Sequence, residues 1–201
     1  VLTFHRNIAL LLAVTLVAYA NAFYGTFQFD DFASILNDPR LASASAFLMQ
    51  LPHMIRPVLK LTFLIDRRLY GENPAGYHLL NVLLHCANAL LLYGILYHAA
   101  SCVPVPNAKF VQRLPLWTAI LFSLHPVETE TVTYLSGRAT GLMSFFYLLS
   151  LFLFLCSTES KVPRRAFVAG YGGALISFVL ALLSKEAAVT LPCALLLWHI
   201  V

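Results

Sequence analysis

The chain has 201 residues, of which 60% are hydrophobic and 11% charged, with a mean hydropathy of +0.78. A soluble domain of this length carries about a quarter charged residues and cannot bury so much apolar surface, which excludes an aqueous globule, a disordered chain and a secreted disulfide scaffold. The net charge of +4 comes from 13 dispersed Lys and Arg, so the basic excess records the topology of an all-α polytopic membrane protein and not a nucleic-acid partner.

A membrane helix needs about 20 mostly apolar residues. Residues 1–24 contain the first candidate span, Asn7 to Tyr24. The same stretch also reads as a signal peptide, with His5 and Arg6 as its positive start, Ile8 to Val17 as its core and Ala18-Tyr19-Ala20 as a cleavage-like site. On either reading, residues 25–75 emerge on the outer side. They hold no spanning run, but Arg56 to Leu69 is amphipathic at about 100° per residue. Val58, Leu61, Ile65 and Leu69 share one face, opposite Arg56, Lys60 and Arg67, the pattern of a helix lying in the membrane interface.

Residues 76–201 supply the remaining runs: Gly76–Tyr97, Leu114–Leu124, Gly137–Cys156, Ala166–Leu183 and Ala187–Val201. The run from Leu114 crosses only if it continues through Pro126 to about Leu135; otherwise His125 ends it and Pro126 opens a new helix. About six transmembrane helices in a single module are expected, as a segment of a longer protein. A linker with Pro104, Pro106, Lys109 and Arg113 and a turn with Glu159, Lys161, Arg164 and Arg165 fall on the inner side, with Arg6. Eight of the nine acids then lie outside, on a lumenal or periplasmic face. Cys86, Cys102, Cys156 and Cys193 form no C-x-x-C pair, so reduced, buried thiols are expected.

The chemistry-bearing residues concentrate on the outer side. Adjacent carboxylates point different ways, so of Asp30 and Asp31 one is expected to face a site and the other to hold the loop; base and helix cap are both open roles. In His125-Pro126-Val127-Glu128-Thr129-Glu130, a continuous helix puts His125, Glu128 and Thr129 on one face, while a broken one uses the two acids to favour its positive end. Arg138 opens a helix against its dipole and requires an anion nearby, either a lipid phosphate or a partner carboxylate such as Glu128. Lys185-Glu186 poses the same choice between phosphate contact and a local ion pair. His78, Asn81, His85 and Asn88 make one polar stripe along the second span, suited to interhelical hydrogen bonds and weak as a metal site.

In order, Phe29-Asp30-Asp31, Arg56-Pro57-Val58, Asn73-Pro74-Ala75-Gly76-Tyr77-His78, His125-Pro126-Val127-Glu128-Thr129-Glu130, Gly137-Arg138 and Ser184-Lys185-Glu186 resemble the N-terminal membrane portion of the transmembrane-and-tetratricopeptide-repeat O-mannosyltransferases and their bacterial relatives, within the GT-C glycosyltransferases. Two positions depart from that pattern: Thr140, where members often carry an acid, and Glu128, where they often carry His. The resemblance implies transfer of a sugar, typically mannose, from a polyprenyl- or dolichyl-phosphate donor to a protein Ser or Thr hydroxyl, in the endoplasmic reticulum membrane or a bacterial inner membrane. It implies Asp30 or Asp31 as base. Arg138 and Lys185 are then expected to hold the donor phosphate, with His125, Glu128, Glu130, Arg56, His78 and Glu186 shaping the site. A divalent metal bridging carboxylate and phosphate is compatible with this set, and no cofactor is required by it. The alternatives are a non-catalytic membrane subunit or inactive relative in a complex, and an ion-coupled transporter built on the His/Asn stripe.

Overall fold

The computed structural model describes residues 2–102, 108–158 and 162–200, and these are helical with no strand among them. Val1, Pro104, Pro106, Glu159, Lys161 and Val201 lie outside the described residues, as do the side chains of Cys102 and Lys109. Helix α1 (Leu2–Ala18) runs on through a tight turn at Ala20–Tyr24. The long loop after it carries a π-helical turn at Phe32–Leu36, α2 (Ala44–Gln50) and α3 (Pro57–Tyr70). Then come α4 (Pro74–Cys102), α5 (Ala108–Val111), α6 (Leu114–Ser123), α7 (Glu128–Thr133), α8 (Arg138–Ser157), α9 (Arg164–Leu182) and α10 (Leu191–Ile200).

Four stretches are long and apolar enough to cross a membrane: Phe4–Tyr24, Pro74–Ser101, Leu135–Ser157 and Arg164–Leu182. The chain is an integral membrane protein. The other two apolar runs form the shorter helices Leu114–Ser123 and Glu186–Trp198. The run from Leu114 breaks at His125-Pro126 instead of continuing to Leu135. The residue before a proline is pushed out of the α region and the proline has no N–H to donate, so His125 N closes a tight turn on Phe122 O and the chain restarts as α7.

Helix α4 is the centre of the bundle: half of its span is buried, against 17–28% of the other three. Its polar stripe faces inward, and Asn81, His85 and Asn88 bond neighbouring segments. Asn81 Nδ2 donates to the carbonyls of Val132 and Tyr134, Asn88 Nδ2 donates to Gly141 O, and a His85 ring nitrogen lies 3.0 Å from Ser123 O. Each contact ties α4 to a different segment, as polar groups in an apolar bundle must. Leu11 of α1 packs with Ala89, Tyr93 and Ala119, and Asn7 donates to the Tyr93 hydroxyl. Small residues let α9 approach α8, where Ser150 donates to Ala174 O at 2.7 Å.

Helix α3 is amphipathic in an inverted sense. Leu61, Ile65 and Leu69 are exposed, while Lys60 and Asp66 are buried with Leu59 and Phe63. A soluble protein would turn that helix around; a lipid surface requires this orientation. The thiols divide: Cys86 is buried as expected, whereas Cys156 is half-buried and Cys193 exposed, because α8 and α10 turn those positions toward the outside of the described bundle.

Candidate functional site

The long loop returns to the bundle where α7 meets α8, and Asp31 makes the join. Its side chain is 1% exposed. One carboxylate oxygen accepts from Ser136 N at 2.9 Å and Ser136 Oγ at 2.6 Å, and the other accepts from Gln28 N at 2.9 Å. With both oxygens engaged, Asp31 is a fastener. Its neighbour Asp30 is exposed; its main-chain N donates to the Tyr134 hydroxyl at 3.3 Å, and among the described residues its carboxylate has neither a hydrogen bond nor an ion pair. Phe29, immediately before, holds φ at +44°, left-handed for a residue with a bulky side chain, a strain of about 1–3 kcal/mol that persists only where the surroundings over-determine it. The Asp31–Ser136 join supplies that constraint.

Asp30 lines an open cleft of about 410 Å³, together with Arg56, Glu130, Tyr134, Thr140 and Lys185; Arg40 and Lys60 stand on its wall as well. Four cations face this space. Lys185 Nζ donates to Thr140 Oγ1 at 2.8 Å and has no ion pair among the described residues. Arg56, at φ +59° ahead of Pro57, forks onto Glu186 at 2.7 and 3.1 Å; that hydrogen bond, with one from backbone, holds the Glu186 carboxyl down to about 2. Lys185 and Glu186 therefore do not pair with each other. Each takes a partner from another segment. Lys60 Nζ and the Arg40 guanidinium both hold buried Asp38, at 2.7 Å each. Burial pushes the Asp38 carboxyl up, but the hydrogen bonds from Arg40 and Lys60 outweigh it and bring it to about 2.

Arg138 is a correction. It shares the α7–α8 corner with Ser136 and so lies at the same end of the bundle as Asp31, but its side chain turns inward and is 0% exposed. Nη1 donates to Asp66 Oδ2 at 2.5 Å and to Thr62 Oγ1, Nε to Asn81 Oδ1 at 2.7 Å, and Nη2 to Tyr77 O at 2.8 Å. The guanidinium also lies 4.5 Å from the centre of the Phe63 ring. A group so enclosed does not meet a lipid phosphate. The required anion is Asp66 of α3, not Glu128, and the guanidinium fork joins α3, α4 and α8 at one point.

Of the expected site residues, the cleft gathers Asp30, Arg56, Glu130 and Lys185. Asp31 and Glu186 support it from behind. His125 caps its own turn, accepting from Val127 N through Nδ1. Glu128 turns inward to within 4.0 Å of His85 Nδ1. His78 is fully buried under the loop, where a Cβ on Gly25 would come within 2.6 Å of its Nε2. Among the described residues no three His, Cys, Asp or Glu side chains converge to hold a metal ion. Lys60, Arg40 and Tyr134 are the cleft residues sequence reasoning missed. Lys60 was read only as part of the charged face of an interfacial helix, and Asp38-Pro39-Arg40, an Asp cap before a proline, was the unread signal for the anchor that holds it.

No family model and no solved structure matches the chain. Over 205 residues it is 28% identical to the protein O-mannosyl-transferase F38B6.6 of Caenorhabditis elegans, covering 94% of this chain and 27% of that protein. Over 201 residues it is 31% identical to the protein O-mannosyl-transferase TMTC4 of Homo sapiens, covering 89% and 27%, and over 149 residues it is 33% identical to Tmtc3 of Drosophila melanogaster, covering 68% and 16%. The chain spans about a quarter of the length of the first two of these curated relatives. With similarity across most of its length to proteins of one name in worm, fly and human, and with the ordered motifs of the loop, α7 and α8, the chain belongs to the TMTC family of transmembrane-and-tetratricopeptide-repeat O-mannosyltransferases.

Proposed function

We propose that this chain is the membrane module bearing the base and the donor site of a GT-C-type O-mannosyltransferase. It moves mannose from a polyprenyl- or dolichyl-phosphate to a protein Ser or Thr hydroxyl at the lumenal or periplasmic face. One observation carries the reading: an unpartnered carboxylate, Asp30, shares a cleft with four cations at the loop end of the bundle. A carboxylate next to an anion-binding surface is what transfer from a phosphate to a hydroxyl requires. The Asp30 carboxylate takes the proton from the attacking hydroxyl as its oxygen bonds to the anomeric carbon. The bond from that carbon to the phosphate oxygen breaks, its electron pair leaves with the phosphate, and the configuration inverts. The phosphate needs no general acid. Lys185, which has no ion pair among the described residues, stabilises the growing charge, and Arg56 adds to the field across the cleft. Arg138 positions the surrounding helices and touches neither substrate.

The test is transfer from mannosyl-phosphoryl-dolichol to a Thr-containing peptide by the full protein in nanodiscs. Asp30→Asn removes the base and lowers kcat by about 10²–10⁴-fold, with donor binding retained. Asp31→Asn instead lowers thermal stability. Undiminished transfer by Asp30→Asn overturns the assignment.

A further inference from the structure

A second cleft, of about 580 Å³, lies on the other side of the wall made by Glu130 and Tyr134, which line both spaces. Both volumes fall within the roughly 300–1,000 Å³ of ligand sites. The chain crosses that wall at the left-handed Phe29: Asp30 lines the first cleft and Phe29, 83% exposed, lines the second. Tyr134 stands between them, its hydroxyl holding Asp30 N. The base is thus mounted on the partition between two chambers.

The chambers differ in charge. The first carries Arg40, Arg56, Lys60 and Lys185 against Asp30 and Glu130, whereas Glu130 is the one charged side chain lining the second among the described residues. The rest of the second is neutral and suited to hydrogen bonding: Asn21, Gln28, Thr129 and Thr133, with the Phe29 ring at the edge. The Thr133 hydroxyl donates back to Thr129 O at 2.6 Å, and that of Thr129 to Pro126 O. Their oxygens keep acceptor capacity, while the amides of Asn21 and Gln28 offer both donors and acceptors. Such a lining meets the alternating N–H and C=O groups of an extended main chain.

We propose that the second cleft is the acceptor site: it binds an extended polypeptide segment whose Ser or Thr hydroxyl reaches Asp30 past Tyr134, and Glu130 selects neutral or basic residues beside that hydroxyl and rejects acidic ones. The proposal rests on the transferase reading for the direction of transfer, but not for the binding itself.

The experiment uses the full protein in nanodiscs and two synthetic peptides, Ala-Lys-Ala-Thr-Ala-Lys-Ala and its Glu-for-Lys counterpart, each with a photoreactive benzoylphenylalanine added at its N-terminus. Labelled residues are mapped by mass spectrometry. The Lys peptide labels residues 28–29 or 129–134, and the Glu peptide labels them at least tenfold less. Glu130→Lys, at an exposed position that the fold tolerates, reverses the preference, and Thr133→Trp, which fills the chamber, cuts labelling at least fivefold. In the transfer assay Thr133→Trp, which lines the second cleft alone, raises KM for peptide and leaves KM for lipid donor unchanged. Labelling elsewhere, labelling indifferent to peptide charge, or a rise in donor KM alone overturns the acceptor site even where transfer itself proceeds. Charge-selective labelling at these residues with no transfer by the wild type sustains the peptide site and rejects the transferase reading instead.

Discussion

Replacing Arg138 by methionine distinguishes a structural clamp from a ligand group. The guanidinium is fully buried and donates to four partners, of which Asp66, itself 3% exposed, is the only charged one. Removing it leaves a carboxylate in the interior without its counter-ion, which costs about 3–5 kcal/mol in comparable buried pairs. For a chain of this length that corresponds to an apparent melting temperature lower by roughly 6–20 °C. Asp66→Leu alone strands the cation and is destabilising by a similar amount. The double variant, which removes both charges and fills the volume, recovers much of the loss, giving a coupling of up to about 3 kcal/mol. The assay is unfolding in mixed micelles, followed by Trp117 and Trp198 fluorescence, for the four members of the cycle. Lysine at 138 does not rescue, since an ammonium cannot reproduce the fork onto Asp66, Asn81 and Tyr77 O. If Arg138→Met unfolds like the wild type and only donor binding changes, the clamp is refuted and Arg138 returns to the site.

Three further outcomes follow from the same contacts. Lys185→Gln lowers kcat/KM for the lipid donor about tenfold or more, the worth of a charge-assisted hydrogen bond, with stability within about 1 kcal/mol of wild type; steady-state kinetics and unfolding together check it, and an unchanged kcat/KM rejects the role. Asp38 has a folded pKa of about 2 against an ordinary 3.8, so its pairing contributes stability that is fully present above about pH 4 and is lost as pH falls through 2. The contribution is about 2 kcal/mol, and the stability gap between wild type and Asp38→Asn narrows on acidification over that window; a gap that stays constant contradicts the assignment. Gly137→Ala places a methyl against the backbone carbonyl of Glu130, inside contact distance, so the α7–α8 corner must shift at a cost of about 1–3 kcal/mol, and a variant as stable as wild type in thermal unfolding shows that corner to be loose.

What the sequence discloses follows from which forces are local. Long apolar runs commit to helices because backbone groups in lipid have no other partner, so the spans at Gly76–Tyr97, Gly137–Cys156 and Ala166–Leu183 are legible to within a few residues. The division of labour between Asp30 and Asp31 is legible in kind, since neighbouring side chains diverge, but which of them faces the cleft depends on Ser136, more than a hundred residues away. The failure at Arg138 is more instructive. Helix α3 is legible as interfacial, with Arg56, Lys60 and Arg67 opposite its apolar face, but the sequence does not say that lipid on the apolar side turns the charged face, Asp66 included, into the protein. Once inverted, every charge on that face needs a protein partner: Lys60 takes Asp38, Arg67 takes the carbonyls of Ile35 and Leu36, and Asp66 takes Arg138. An arginine opening a helix between two glycines and an acid on the inward face of an interfacial helix are complementary demands, and each is visible in the sequence. Pairing them removes Arg138 from the list of phosphate ligands and leaves Lys185, whose neighbour in the cleft is a neutral threonine, as a cleft cation with no carboxylate partner among the described residues.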